Sequence, residues 1–252
     1  MIFKQETLDQ LAAEFAEVRP KHFELLRTVT AHDYRDERAR EYANQGFLRR
    51  LYTLVRCLDN VFTITPPSRD DVPSADERKD VEISLQAFVF NVFGCIDNLA
   101  WVWVSEKGVM REDGKALARS AVGFRRSCKE VRASLPQELQ RYFNGMEKWF
   151  RNLDEFRHAL AHRIPFYIPP HVVREKNVDQ YRELETAKIR ALNSGDTEEY
   201  EKLDAQQNHL GEFRPLMAHS FNEGSPTIVF HAQMLADFNT VDDIAKRIFA
   251  TL

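Results

Sequence analysis

The sequence predicts an all-α fold: an antiparallel helical bundle with an inserted charged helical hairpin and a small C-terminal β-hairpin. Three observations lead there. Apolar residues recur at helical spacing, as in Leu48, Leu51, Val55, Leu58 and Phe62. Proline and glycine punctuate the chain where helices would end. The apolar run from Val81 to Val104 contains Glu82, Gln86, Asn91, Asp97 and Asn98, which would be costly in hydrocarbon. That run therefore reads as a buried central helix rather than a membrane span.

Each element has its own local signal. Thr7-x-x-Gln10 resembles a capping box for a first helix that stops before Pro20. A second helical region follows, and a long helix is expected from Asp33 to Phe62. Pro66, Pro67, Asp70, Asp71 and Pro73 make a loop, and Ser74-x-x-Glu77 caps the central helix, which runs to Gly108. Asp113-Gly114 is a turn before a basic helix expected from about Lys115 to Ser134. Pro136 opens a short helix that Gly145 separates from the next, expected over Glu147 to Arg163. Pro165, Pro169 and Pro170 end that one.

The stretch 172–210 is highly charged and splits at Asn193-Ser194-Gly195, which predicts a helical hairpin. Arg214 to Phe221 and Pro226 to Phe230 flank Asn222-Glu223-Gly224, a short β-hairpin pattern. Thr240-x-x-Asp243 then opens a last helix. The organisation expected is one domain, with a core bundle over 35–170, the hairpin insertion over 172–210, and the β-hairpin and last helix over 213–252.

Composition narrows the function classes. The 252-residue chain carries a net charge of -4, so contact with nucleic acid requires a local basic patch. Cys57, Cys95 and Cys128 are widely spaced without C-x-x-C, which suggests neither a disulfide framework nor a zinc knuckle. Cys95 lies inside the apolar run and reads as core. The first residues lack the apolar run of a signal peptide, so a cytoplasmic protein without membrane attachment is expected. Phosphate-loop, dinucleotide and hydrolase-elbow motifs are missing.

The chemically suggestive stretch is Arg157-His158-Ala159-Leu160-Ala161-His162. On a helix at about 100° per residue, Trp149, Leu153, Phe156, Leu160 and Ile164 form one apolar stripe. Arg157 lies about 40° from Leu153, at the edge of the inward face, while Asp154, His158 and His162 fall on the polar side. An arginine at a core boundary needs a carboxylate or a wet cleft. Arg157 and His162 lie about 140° apart on a straight helix, so they converge only through long side chains, distortion near Pro165, or a second chain. His162 also lies in the last turn, where the helix dipole favours a protonated imidazole.

The central helix offers partners. Ser84, Ala87, Asn91, Gly94, Asn98, Trp101 and Ser105 form a seam of small and polar residues, flanked by Asp97. Asp97 is the candidate partner for Arg157. Asp97, Asn98 and Asp154 either orient a site or satisfy buried polar groups. Basic residues near the motif are Arg151 and Arg163, together with Arg125, Arg126 and Lys129 from the stretch that also holds Lys115, Arg119 and Arg132. These are RNA-contact candidates or a solvated helix face.

The motif resembles that of the HEPN superfamily of helical bundles: an Arg, a polar residue, three further residues and a His near a helix end. The upstream segment from Phe90 to Trp101 and the Pro-containing exit are also similar to that pattern, over about 35–170. The resemblance implies a metal-independent endoribonuclease without cofactors, working on RNA as a homodimer. In it the ribose 2′-hydroxyl attacks the adjacent phosphate and leaves a cyclic phosphate end. It implies Arg157, His162 and His158 as catalytic residues: His162 as general acid or base, Arg157 stabilising transition-state charge, and His158 orienting the site. Such domains often act in toxin–antitoxin or antiviral defence, where an antitoxin or regulatory protein is a partner.

Two alternatives remain open on the same residues. One is a non-catalytic binding or regulatory subunit of the same type. The other is a helical metalloenzyme, because Asp154, His158 and His162 project from one face at steps of four and four, with His171, His219 and His231 elsewhere.

Overall fold

A computed structural model describes residues 3–169, 172–220 and 227–252. Helix accounts for 72% and strand for 5%, so the class is all-α with minor β pairing. The N-terminal break falls earlier than Pro20. α1 (Gln5–Ala16) is followed by α2 (Val18–Ala31), and Pro20 sits in the first turn of α2, where a missing N–H is harmless. Thr7 lies inside α1, whose N-cap Lys4 makes no side-chain cap.

The long helix expected from Asp33 starts later and changes pitch. Asp36 caps α3 (Glu37–Glu41) by accepting from the Ala39 N–H at 2.9 Å. A π-helical segment, Tyr42–Phe47, then leads directly into α4 (Leu48–Ile64). Such segments are rare and often accompany functional sites.

The central helix follows its sequence signal closely. α5 (Ala75–Glu106) opens with a reciprocal capping box: the Glu77 N–H donates to Ser74 Oγ at 3.2 Å, and the Ser74 N–H donates to Glu77 Oε2 at 2.8 Å. Arg69 grips the same Glu77 at 2.9 and 3.0 Å, and this hydrogen bonding, with the box, pulls the carboxyl down to about 2. Among the described residues α5 is the one helix long and apolar enough to cross a membrane, yet 56% of that window is buried inside the protein. It packs against the π segment and α4, against α11 (Phe230–Thr251), and against α8 (Glu147–His162). Leu51, Leu54 and Leu58 of α4, Phe88, Val92 and Leu99 of α5, and Phe238 and Ile244 of α11 belong to one continuous core.

The basic helix expected over 115–134 is a correction. Its first part is irregular, with an isolated bridge between Met110 and Ala116 and one 3₁₀ turn, Arg119–Ala121. Only α6 (Lys129–Ser134) is helical. Within it Arg132 is buried rather than solvated. Its guanidinium donates to the Phe124 carbonyl at 2.8 Å, to the Gln140 carbonyl at 3.2 Å, and to Asn144 Oδ1. It therefore ties the irregular segment to α7 (Gln137–Gly145).

The charged hairpin forms as expected. α9 (Val178–Ser194) ends at Gly195, whose φ of +75° is the left-handed geometry of a helix C-terminus. Asp196 then caps α10 (Thr197–Asn208) by accepting from the Glu199 N–H at 3.0 Å. The hairpin is closed by a strand pair the sequence did not suggest, β1 (Val172–Val173) with β2 (Gly211–Glu212). The expected β-hairpin is reduced to β3 (Leu216–Met217) antiparallel to β4 (Ile228–Val229); its turn at 222–224 lies outside the described residues. The last helix begins at Phe230 rather than Thr240, whose hydroxyl bonds back to the Ala236 carbonyl at 2.8 Å inside α11.

Candidate functional site

The site is built on the α5 face that meets α4 and α8. Two glycines bring the elements close. A Cβ at Gly94 would stand 2.5 Å from the Arg50 Cζ, and one at Gly46 would stand 2.8 Å from the Asn98 amide carbon. Arg50 of α4 thus lies across Gly94, where its Nε donates to Asn98 Oδ1 and its Nη1 to Asn91 Oδ1, both at 3.1 Å. Asn98 in turn packs over the π segment at Gly46.

From α8, Arg157 lays its guanidinium 4.4 Å from the Phe93 ring centroid. Arg125, from the irregular segment, stands 4.6 Å from the same centroid and pairs with Asp154 at 2.8 Å. The expected Asp97–Arg157 ion pair is absent: Asp97 makes no hydrogen bond or ion pair among the described residues. It sits instead in the combined field of Arg125, Arg157 and Arg50. Burial outweighs that field and holds its carboxyl up at about 6. Three guanidinium groups thus converge around one carboxyl that titrates near neutrality. Arg157 itself forms no hydrogen bond or ion pair among the described residues, so its donors remain available.

The outer part of the motif is exposed. His158 and His162 lie on the solvent side of α8 with ring centroids 5.1 Å apart. The helix stays regular to His162, so no distortion before Pro165 turns that imidazole toward Arg157. The inward stripe is confirmed at Leu153, with Trp149, Phe156 and Leu160 half-buried, but Ile164 lies beyond the helix and is exposed. The exit is held in place by α5: Glu82 accepts from the Ile168 N–H at 2.9 Å and is paired with Lys79, and Gln86 donates to the Phe166 carbonyl at 3.3 Å.

The RNA-contact candidates separate. Arg126, Lys129, Arg151 and Arg163 are exposed, whereas Arg125 is half-buried in its pair with Asp154. That pair also breaks the Asp154–His158–His162 ladder. Among the described residues no group of three His, Cys, Asp or Glu side chains is placed to hold a metal. All three cysteines are buried and free, and burial raises the Cys95 thiol well above its usual range. Sequence reasoning passed over Arg50 and Phe93. Arg50 could have been noticed as a charge at the edge of the apolar stripe through Leu51, Leu54 and Leu58.

In comparisons with protein-family models, curated proteins and solved structures, nothing matches this chain.

Proposed function

We propose that this chain is a HEPN-like, metal-independent endoribonuclease that acts as a homodimer on RNA in the cytoplasm, in a toxin or antiviral-defence role restrained by an antitoxin or regulatory protein. The observation that carries the reading is Arg157: a half-buried guanidinium, resting on Phe93 and hydrogen-bonded to no carboxylate among the described residues, on the same helix as two exposed histidines. A guanidinium held in this way is suited to a phosphodiester, which accepts two parallel N–H bonds.

In this mechanism a base removes the 2′-hydroxyl proton and O2′ attacks the adjacent phosphorus. The bond from phosphorus to O5′ breaks, and an acid protonates the departing oxygen. The products are a 2′,3′-cyclic phosphate and a 5′-hydroxyl. Arg157 compensates the added charge on the phosphorane-like transition state. His162 serves as the general acid or base, and His158 orients the site or the scissile phosphate. Arg50 holds the flanking backbone, Arg125 adds positive potential from its pair with Asp154, and Asp97 limits the repulsion among the three cations.

Arg157 and His162 diverge on a regular helix, which favours a site completed by a second copy. Ile83 and Phe90, 57% and 40% exposed, lie at seven-residue steps on the same α5 face as Asp97 and offer that copy an apolar footing. The same divergence supports the second reading, a non-catalytic RNA-binding subunit.

Incubating the purified protein with RNA in EDTA separates the readings. EDTA-resistant cleavage to cyclic phosphate ends, lost in Arg157→Ala and His162→Ala, is expected. RNA binding without cleavage selects the binding subunit. EDTA-sensitive cleavage contradicts both.

A further inference from the structure

Beside the arginine cluster, α3, the π segment and α5 border an open cleft of about 300 Å³, lined by Arg38, Glu41, Tyr42, Gln45, Gly46 and Asn98. That volume is at the lower end of small-ligand clefts, which run from about 300 to 1,000 Å³. Tyr42 packs flat on Trp101, with centroids 5.3 Å apart and an interplanar angle of 8°. The exposed Arg38 places its guanidinium carbon 4.5 Å from the Trp101 centroid.

The polar ends of these groups are unspent. The Gln45 amide, the Tyr42 hydroxyl and the Trp101 indole N–H make no hydrogen bond among the described residues. Asn98 uses its Oδ1 on Arg50, and its amide nitrogen donates to no partner among the described residues. The cleft itself presents Tyr42, backed by Trp101, and Arg38, with amide groups and the Glu41 carboxylate at its edge, and this lining suits a planar heterocycle with polar edges.

Position matters as much as composition. Trp101 lies two turns beyond Phe93 on α5, about 12 Å along the helix axis. Asn98 is shared, since it lines the cleft and holds Arg50. The π segment creates the arrangement by turning Gly46 against Asn98 and leaving Tyr42 over Trp101.

We infer that this cleft is a nucleobase subsite, which takes an unpaired base of an RNA strand whose backbone lies across Arg50 and Arg157. The inference rests on the phosphodiester reading of the arginine cluster and adds to it a preference for single-stranded substrate. Stacking on such a platform is worth about 1–3 kcal/mol per base, or roughly fivefold to more than a hundredfold in affinity.

The test uses the full-length protein and two probes: a 2′-O-methylated RNA tetranucleotide, which lacks the attacking hydroxyl, and the same oligomer without bases. Calorimetry and tryptophan fluorescence are read together. The base-bearing oligomer is expected to bind at least tenfold tighter than the abasic one and to quench Trp101, with the quench removed by Trp101→Phe. Arg38→Ala and Gln45→Ala alter exposed side chains and leave the fold intact. Each is expected to reduce the preference for the base-bearing oligomer, as is Tyr42→Ala. Equal affinity for the two oligomers, or a preference unchanged in Arg38→Ala and Tyr42→Ala, overturns the subsite. Base-dependent binding by a protein that cleaves no RNA supports the subsite while removing the nuclease reading. Cleavage without base-dependent binding does the reverse.

Discussion

The Arg157 guanidinium rests on the Phe93 ring at 4.4 Å and not on the Asp97 carboxylate. An arginine anchored by an aromatic face keeps all its N–H donors for a ligand, whereas one clamped by a carboxylate must first be released. Replacing Phe93 with leucine keeps apolar volume but removes the ring. Such contacts contribute about 0.5–1 kcal/mol at exposed sites and about 2 when desolvated. Phe93→Leu is therefore expected to weaken RNA affinity about two- to thirtyfold, with little change in thermal stability. Unchanged affinity in a filter-binding titration would mean that the stack does not position Arg157.

Gly94 predicts a separation of stability from activity. An alanine there meets the far end of the Arg50 side chain, which can swing away and lose its bonds to Asn91 and Asn98. Helix propensity gains about 1 kcal/mol from Gly→Ala, against about 1.5–3 kcal/mol per lost charged hydrogen bond. The protein should stay folded with a modestly lower Tm while RNA cleavage falls at least tenfold. Arg50→Ala in the same background should recover Tm without recovering cleavage. A Gly94→Ala protein with full activity would remove Arg50 from the site.

Arg132 is the structural counterpart. Truncating it leaves the buried Phe124 carbonyl without this donor and removes a second bond to the half-buried Gln140 carbonyl. A cost of about 2–5 kcal/mol is expected for Arg132→Ala. Denaturant unfolding should show it, and limited proteolysis should cut first between 115 and 128. Because Arg125 leaves that segment to reach Asp154, activity should fall as well.

Asp237 predicts the pH dependence of stability. It is buried on α11, and both Trp149 Nε1, at 2.8 Å, and Gln233 Nε2, at 3.0 Å, donate to its Oδ1. Burial lifts its carboxyl to about 6, above an unfolded value near 3.8. The folded state therefore holds the proton longer, and the associated stability is present at low pH and lost as pH rises through about 6. An asparagine keeps the accepting oxygen and removes the charge. Asp237→Asn should raise the unfolding free energy at pH 7.5, by at most on the order of 2–3 kcal/mol, and the gain should vanish near pH 4. His231, buried against the Thr65 carbonyl with its ring held down at about 4, loses stability as pH falls from about 6.5 toward 4. It is common to both proteins, so the difference between their pH profiles isolates Asp237.

Legibility in the sequence followed the range of the interaction. The Ser74 box, the Gly195 turn and the span of α8 are local devices and could be read directly. Thr240 shows the limit of that reading, since a threonine bonding back within a helix has the same local pattern as one capping its start. The basic stretch at 115–134 misled because Arg132 is drawn inward by carbonyls eight residues away on each side. In the candidate site, Arg157, Asp97 and Asn98 were legible because motif and seam lie on single helices. Arg50 reaches them only through the approach of α4 to α5 at Gly94, and Asp154 finds Arg125 only once the irregular segment is folded.

Subunit mixing tests the central proposal most directly. Arg157→Ala and His162→Ala proteins are each expected to be inactive in EDTA. If the site takes Arg157 from one chain and His162 from the other, dissociating and re-forming the mixture restores one intact site in each heterodimer, about a quarter of wild-type activity. Cyclic phosphate ends should reappear with it. A mixture that stays inactive while wild type cleaves contradicts the shared site, and variants that retain full cleavage contradict the role of these residues altogether.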